Sequence, residues 1–209
     1  KGTGGDAVVS QYNTGNHSEV TQMATNASAD VIQSGSDNTS ELTQGRANLF
    51  TLFGEKARIV QSGDRNTSTA SQTNSNDNLS VKQSGDDNTS TVTQSNSANG
   101  SGNASDPADV GVKQAGNWGV ASVTQAGQGG IAYIDQISGG DHNTATIAQS
   151  VSNKPANGTY NFPLSVANIT QGGDHNTASI TQHSGATDAN SARHETATTD
   201  QRGSSNAST

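Results

Sequence analysis

Glutamine returns along this chain at a fixed interval, and that interval limits the fold more than any other feature. Gln33–Gln44 reads QSGSDNTSELTQ, Gln61–Gln72 reads QSGDRNTSTASQ, Gln83–Gln94 reads QSGDDNTSTVTQ and Gln171–Gln182 reads QGGDHNTASITQ. Each segment has Gly two residues after the first Gln, Asn five after, Ser or Ala seven after and a second Gln eleven after. A unit this short cannot bury a hydrophobic face alone, so it must stack on copies of itself.

Looser copies complete the series. Gln11, Asn16 and Gln22 keep the spacing, with Asn13 in the place of Gly. Gln114, Gly116, Ala121 and Gln125 keep it with Gly119 in the place of Asn. Gln136–Gln149 carries two additional residues in its turn, after which Asn143, Ala145 and Gln149 return to phase. An eighth unit opens at Gln201, Gly203 and Asn206. The expected organisation is a flexible segment 1–6, then one solenoid over 7–209 with seven complete rungs and a partial eighth.

Period-two alternation precedes each glutamine, as in Ala29-Asp30-Val31-Ile32-Gln33 and Ser90-Thr91-Val92-Thr93-Gln94. Such alternation marks β-strands whose successive side chains point to opposite faces. Val, Ile or Leu usually sits two residues before the Gln, on its own face, and charges such as Asp30, Arg58, Lys82, Lys113 and Asp135 fall on the other. Between the strands lies Gly-x-x-Asn. Gly35, Gly63, Gly85, Gly116, Gly173 and Gly203 supply turn conformations closed to other residues. The predicted fold is all-β: strand–arc–strand rungs stacked into two facing parallel sheets, a cross-β solenoid with rungs about 4.8 Å apart.

Hydrophobic residues are 28% of the chain and aromatics 3%, too few for an ordinary core of this length. Low hydrophobicity with net charge −8 is otherwise a mark of disorder, but disorder needs no register. Amides must therefore form much of the interior. An unpaired buried amide costs about 1–3 kcal/mol. Stacking removes that cost, because each inward Gln bonds the Gln of the next rung. The expected ladder comprises Gln11, Gln22, Gln33, Gln44, Gln61, Gln72, Gln83, Gln94, Gln114, Gln125, Gln136, Gln149, Gln171, Gln182 and Gln201. Only the ends of such a stack lack partners. Lys1–Gly5 is too short to cover an edge, so open ends of matching register predict head-to-tail growth of a homopolymer.

Connections from second Gln to next first Gln are lengthened near residues 45–56, 95–109, 150–166 and 183–195, all on one edge of the solenoid. They hold every proline (Pro107, Pro155, Pro163) and every phenylalanine (Phe50, Phe53, Phe162). Stacked strands exclude proline. Leu49–Phe53 and Tyr160–Leu164 are expected to fold back over the edge, with lateral contact between subunits as the alternative and a ligand pocket a lesser one.

The pattern Gln-x-Gly-x-x-Asn-x-Ala/Ser-x-x-x-Gln resembles the curlin repeat, the unit of curli, the extracellular amyloid fibres of bacterial biofilms. The resemblance covers nearly the whole chain. It implies a left-handed solenoid with a Gln- and Asn-lined core, in which Asn16, Asn38, Asn66, Asn88, Asn143, Asn176 and Asn206 join the ladder. It also implies a mature form after signal-peptide removal, export through the outer membrane unfolded, and nucleated assembly at the bacterial cell surface with a curli-type nucleator and secretion machinery as partners. The insertions and the rung count depart from the family, whose repeats are nearly uniform.

Other functions have weaker support. His142 and His175 occupy equivalent GGDHN arcs beside Asp141 and Asp174 on successive rungs, which suggests a metal if they are adjacent; repeated turn chemistry on the surface is the simpler reading. Asp37, Asp64, Asp86 and Asp87 read as solvated charge. The Asn-x-Ser/Thr triplets at Asn38, Asn66 and Asn88 follow from the ladder itself. No spacing suggests catalysis, no metal or other cofactor is expected, and Trp118 reads as a lone surface ring. The chain contains no cysteine, no apolar run near the roughly 20 residues of a membrane span, and an acidic balance that argues against nucleic acid. The alternative function is a monomeric adhesin or carbohydrate-binding stalk. Outward Thr91 and Thr93, or Thr144 and Thr146, hint at ice binding, but Glu19, Glu41 and Lys82 at outward positions argue against a regular array.

Overall fold

The computed structural model describes residues 4–45, 54–73, 77–95, 108–127, 130–152, 165–185 and 195–209. Alternation in the sequence becomes sixteen strands, two to a rung. The first strands of the rungs are β1 (Asp6–Tyr12), β3 (Ser28–Ser34), β5 (Lys56–Ser62), β7 (Asp77–Ser84), β9 (Ala108–Gln114), β11 (Gly130–Gln136), β13 (Ser165–Gly172) and β15 (Thr196–Arg202). The second strands are β2 (His17–Gln22), β4 (Thr39–Gln44), β6 (Thr67–Thr73), β8 (Thr89–Ser95), β10 (Val120–Gly127), β12 (Thr144–Ser152), β14 (Thr177–Gly185) and β16 (Ala207–Ser208). Odd strands form one parallel sheet and even strands the other, each in chain order. The fold is the β-solenoid that the repeat predicts.

Register is set by the glutamines. Gln11 pairs with Gln33, Gln33 with Gln61 and Gln61 with Gln83, and Gln22 pairs with Gln44 and Gln44 with Gln72. A slip of one residue would turn every inward amide outward. The interior between the sheets is thin and apolar next to the ladders. Val31, Ile59, Val81, Ile134 and Ile169 line it from the first sheet, and Leu42, Val92, Val123 and Ile147 from the second. Small Ala29, Ala57, Ala121, Ala145 and Ala178 fill the second inward position of their strands.

The first rung differs from the others. The pairing begins at Asp6 rather than Ala7: Asp6 N–H donates to Ala27 O, and Gln22 Nε2 donates to Asp6 O. The segment expected to be flexible over 1–6 is thus already bonded at Asp6, because parallel pairing runs back to the corner of the rung. Inward Val9 is 45% exposed, whereas its register partner Val31 is fully buried. The three prolines, Leu49–Phe53 and Tyr160–Leu164 lie outside the described residues.

Candidate functional site

Two amide ladders run the length of the stack. In the first, each Nε2 donates to the Oε1 of the next rung, from Gln11 through Gln33, Gln61, Gln83, Gln114, Gln136 and Gln171 to Gln201, at 2.7–3.0 Å. In the second, Gln22, Gln44, Gln72, Gln94, Gln125, Gln149 and Gln182 are joined in the same way at 2.7–3.2 Å. All the donors face the C-terminal end of the stack. The remaining N–H ties the ladder to main chain: Gln61 Nε2 reaches Thr39 O, across the core on the preceding rung, and Asn66 O in its own arc. Gln33, Gln61, Gln83 and Gln114 are fully buried, and their bonding capacity is used within the stack.

A third ladder closes the arc between the two strands of each rung. Asn66 Nδ2 donates to Gly85 O at 2.7 Å, and Asn66 Oδ1 accepts the main-chain N–H of Asn88 at 3.0 Å. Asn16, Asn38 and Asn176 repeat both bonds with the next rung. Asn206, on the last rung, donates its main-chain N–H to Asn176 Oδ1. The fifth rung breaks the series. Gly119 donates its N–H to Asn88 Oδ1 but has no side chain to offer Asn143. Asn143 keeps its own bonds forward, to Gly173 O and from the N–H of Asn176.

Two left-handed residues shape most of these arcs. In the fifth rung Trp118 is left-handed but Gly116 is not, so the expectation that Gly116 supplies a turn conformation closed to other residues fails there. Its need for glycine comes instead from the close approach of Gly140 O. Gly35, Gly63, Gly85, Gly173 and Gly203 have φ between 88° and 114°, and a Cβ on Gly63 would meet the carbonyl oxygen of Gly85 below van der Waals contact. In the sixth rung the two additional residues bulge out at Ser138-Gly139. Gly140 then takes the stacked position, a glycine that the spacing did not reveal. The second left-handed residue, just before the Asn, varies in type: Asp37, Arg65, Asp87, Trp118, His142, His175 and Ser205, at φ 53–59°.

These arc side chains are more ordered than the sequence suggests. Asp64, Asp86, Asp141 and Asp174 are not merely solvated. Each accepts a main-chain N–H from the rung before it, from Ser36, Asp64, Asn117 and Asp141 respectively, at 2.7–2.9 Å. Arg65 donates through Nε and Nη2 to the two oxygens of Asp87, both at 2.7 Å. That bond and the paired charges hold the Asp87 carboxyl below its ordinary range and raise Arg65 above its own. Nor is Trp118 alone. Its ring stacks on His142 with centroids 4.9 Å apart, and His142 stacks on His175 at 4.8 Å. The imidazoles lie face to face, so their nitrogens do not converge on a common point. No cluster of three or more metal-ligating side chains occurs among the described residues.

The opposite corner of the first rung, described throughout from Gln22 to Ser28, follows a similar path with different contents. Asn26 is left-handed at φ 58°, four residues after Gln22, as Asp37 is four after Gln33. Ala27 then takes the place that Asn38 holds on the first arc, and Glu55 and Asp77 follow Ala27 in register. Ser28 N–H donates to Glu55 O, just as Thr39 N–H donates to Asn66 O. Both carboxyl groups are fully buried, and none of their four oxygens has a hydrogen-bond partner. Burial pushes Glu55 up to about 7, and burial together with the Glu55 charge pushes Asp77 up to about 8.

The outer faces of the two sheets are unlike. The first carries paired charges, Asp30 with Arg58 and Lys113 with Asp135, each at 3.2 Å. Lys82 stands on this face, in register with Val60 and Lys113. On the second face Glu19 and Glu41 occupy the first two rungs only. Over the third to seventh rungs its outward positions are Thr67, Thr69, Ser71, Thr89, Thr91, Thr93, Val120, Ser122, Thr124, Thr144, Thr146, Ala148, Thr177, Ser179 and Thr181. The expected interruption by charge holds for Glu19 and Glu41 on the first two rungs, whereas Lys82 belongs to the other sheet. Among the described residues no helix is long and apolar enough to cross a membrane. No protein-family model matches the chain, and no curated protein matches it significantly.

Proposed function

We propose that this chain is a structural subunit of an extracellular curli-like amyloid fibre, polymerising head to tail through the ends of its stack to build biofilm matrix and mediate adhesion. One observation carries the reading: two unbroken glutamine ladders whose bonds all point the same way. A ladder of uniform polarity offers only acceptors at one end and only donors at the other. A second copy can therefore continue the first ladder, its Gln11 Oε1 accepting from Gln201 Nε2, in the sense that cross-β packing requires. The exposed inward Val9 and the half-buried Val20 and Gln22 of the first rung give such a copy apolar surface as well as amides to cover.

The remaining parts of the reading rest on the curlin-like repeat. The subunit works at a bacterial cell surface, reaches it through a secretion machinery that passes unfolded chains, and starts to polymerise on a nucleator of the same fold. The test is incubation of the purified chain with thioflavin, followed by seeding of fresh protein with the product. Thioflavin-positive fibres that abolish the lag are expected. A chain that stays monomeric for days at high concentration overturns the proposal.

The uncharged Ser/Thr face of the second sheet favours one alternative, a monomeric adhesin or carbohydrate-binding stalk. Its hydroxyls repeat at about 4.8 Å between rungs and about 6.7 Å along each strand, a neutral lattice suited to a repetitive hydroxylated surface such as a polysaccharide or ice. Pull-down of the monomer on insoluble polysaccharide, lost on Thr91→Lys/Thr146→Lys, separates this reading from the fibre.

A further inference from the structure

Glu55 and Asp77 are the two side chains whose placement the amide chemistry of the stack does not explain. They sit on successive rungs, one above the other, at the corner equivalent to the asparagine ladder. In that ladder each amide both donates and accepts. A carboxylate only accepts, so two of them in sequence can neither bond each other nor satisfy themselves. Among the described residues no ion pair reaches either carboxyl. The register position before Glu55 is Ala27 and the one after Asp77 is Ala108. Across the corner stand Gln44 and Gln72. Gln44 Nε2 is committed to Ser28 O and Gln72 Oε1, and Gln72 Nε2 to Lys56 O, Asp77 O and Gln94 Oε1. Among the described charged residues nearby, Lys56 is exposed on the outward face, as is Arg58 beyond it. Asp109 is the register partner of Asn78.

Two buried carboxylates without partners are among the costliest arrangements a protein can contain. Protonation removes the cost: each neutral carboxyl gains an O–H donor, and one can then bond the other. We propose that Glu55 and Asp77 act as a proton-operated latch: the third and fourth rungs close at this corner with a proton on each carboxyl, and loss of those protons opens them. The role in fibre growth rests on the reading of the chain as a fibre subunit; the role in folding does not.

The direction of the pH dependence follows. In the unfolded chain both groups titrate near the ordinary carboxylate values of 4.5 and 3.8, and in the stack at about 7 and 8. The folded state therefore binds more protons between roughly pH 4 and pH 8, and stability falls as pH rises through that window. Below it both states are protonated and the latch is fully closed; above it both carboxyls are charged in either state and the latch contributes a penalty. This is opposite to the behaviour of carboxylates held in ion pairs, which lose stability in acid.

The experiment follows urea unfolding of the full chain by circular dichroism, and seeded fibre elongation, at pH 5, 7 and 9. For the native sequence the folding equilibrium constant should drop by more than about a hundredfold between pH 5 and pH 9, with elongation slowing in parallel. The double variant Glu55→Gln/Asp77→Asn keeps every other carboxylate, so the general effect of net charge remains while the drop due to the latch disappears. Glu55→Ala/Asp77→Ala is the second variant, since alanine already occupies the flanking positions of the column. Equal pH slopes for the native chain and both variants overturn the latch. Restoration of stability at pH 9 by millimolar calcium or magnesium, lost in both variants, also overturns it, because a cation rather than protons then holds the pair. Absence of fibres at every pH, with the unfolding result intact, counts against the fibre reading and leaves the latch standing.

Discussion

At one corner of the stack the residue that closes the arc is asparagine in seven of the eight rungs; at the other corner the same place holds Ala27, Glu55, Asp77, Ala108, Gly130, Ser165 or Glu195. Where the second corner is described throughout, after Gln22, its backbone resembles that of the first. Each has a left-handed residue four after a glutamine, as at Asp37 and Asn26, and each has a closing residue whose carbonyl accepts an N–H from the rung before, as at Asn66 and Glu55. What differs is satisfaction. The first corner uses its amide groups on neighbouring rungs, whereas the second leaves Glu55, Asp77 and the hydroxyl of Ser165 without partners. The first corner is therefore where the stack is fixed, and the second is where connections lengthen and where conditions act. Buried polar groups specify a structure only when they are fully paired, and the two corners separate these cases within one molecule.

Substitutions should reveal the contrast in order of size. Gly63→Ala forces a Cβ against Gly85 main chain at a left-handed φ of 100°. Backbone strain and overpacking together should cost at least about 3 kcal/mol, seen as loss of the unfolding transition or of fibre growth. Gly139→Ala meets a similar left-handed φ of 89° but open space for its Cβ, so if Gly63→Ala costs no more than Gly139→Ala, the first corner is not tightly packed.

Asn66→Leu comes next. It strips partners from Gly85 O and Asn88 N–H, and a loss of about 2–4 kcal/mol in urea unfolding is expected from two unsatisfied buried groups. The same measurement on Ala27→Ser should change little. Equal losses would erase the distinction between corners.

Gln83→Ala breaks one step of the first ladder and leaves a cavity, for about 2–3 kcal/mol. Lys82→Ala, its outward neighbour, should stay within about 0.5 kcal/mol. In assembly assays the first should slow elongation and the second should not; similar rates for both would count against an inward ladder. The smallest effect is expected at Ser68, whose hydroxyl is buried and unpartnered in a column that continues through Ser90 to Ala121, Ala145 and Ala178. Ser68→Ala should be neutral or stabilise by a few tenths of a kcal/mol, since it removes an unsatisfied group.

Much of the first corner is legible in the sequence because its spacing is constant. Gln, Gly and Asn at fixed offsets announce the turn, the inward face and the rung. The left-handed column before the Asn is not legible in the same way. Asp37, Arg65, Trp118 and His142 share a backbone conformation but no side-chain chemistry, so the stacking of Trp118 on His142 shows only when the rungs are superposed. The aspartate column was visible as composition, and its role was not: the partner of Asp64 Oδ1 is a main-chain N–H twenty-eight residues away. Alternation tells inward from outward but not which of two sheets an outward residue belongs to, so the sequence does not separate Lys82, on the first sheet, from the Ser/Thr face that Glu19 and Glu41 share.

Sequence alone determined the period of the stack, the inward direction of the glutamines and the place of the turns. These are local properties, set by strand alternation and by the backbone freedom of Gly and Asn. Tertiary structure decided which residues meet. Gln136 bonds Gln171 at 3.0 Å across thirty-five residues, while Gln61 bonds Gln83 at 2.8 Å across twenty-two. Glu55 lies eleven residues after its glutamine and Asp77 five after its own, so no spacing rule joins them. Parallel pairing does, because it aligns strands by their ends and ignores the length of chain between. The pairing brings two carboxyl groups into one buried column, and their shared need for protons exists only in the folded stack.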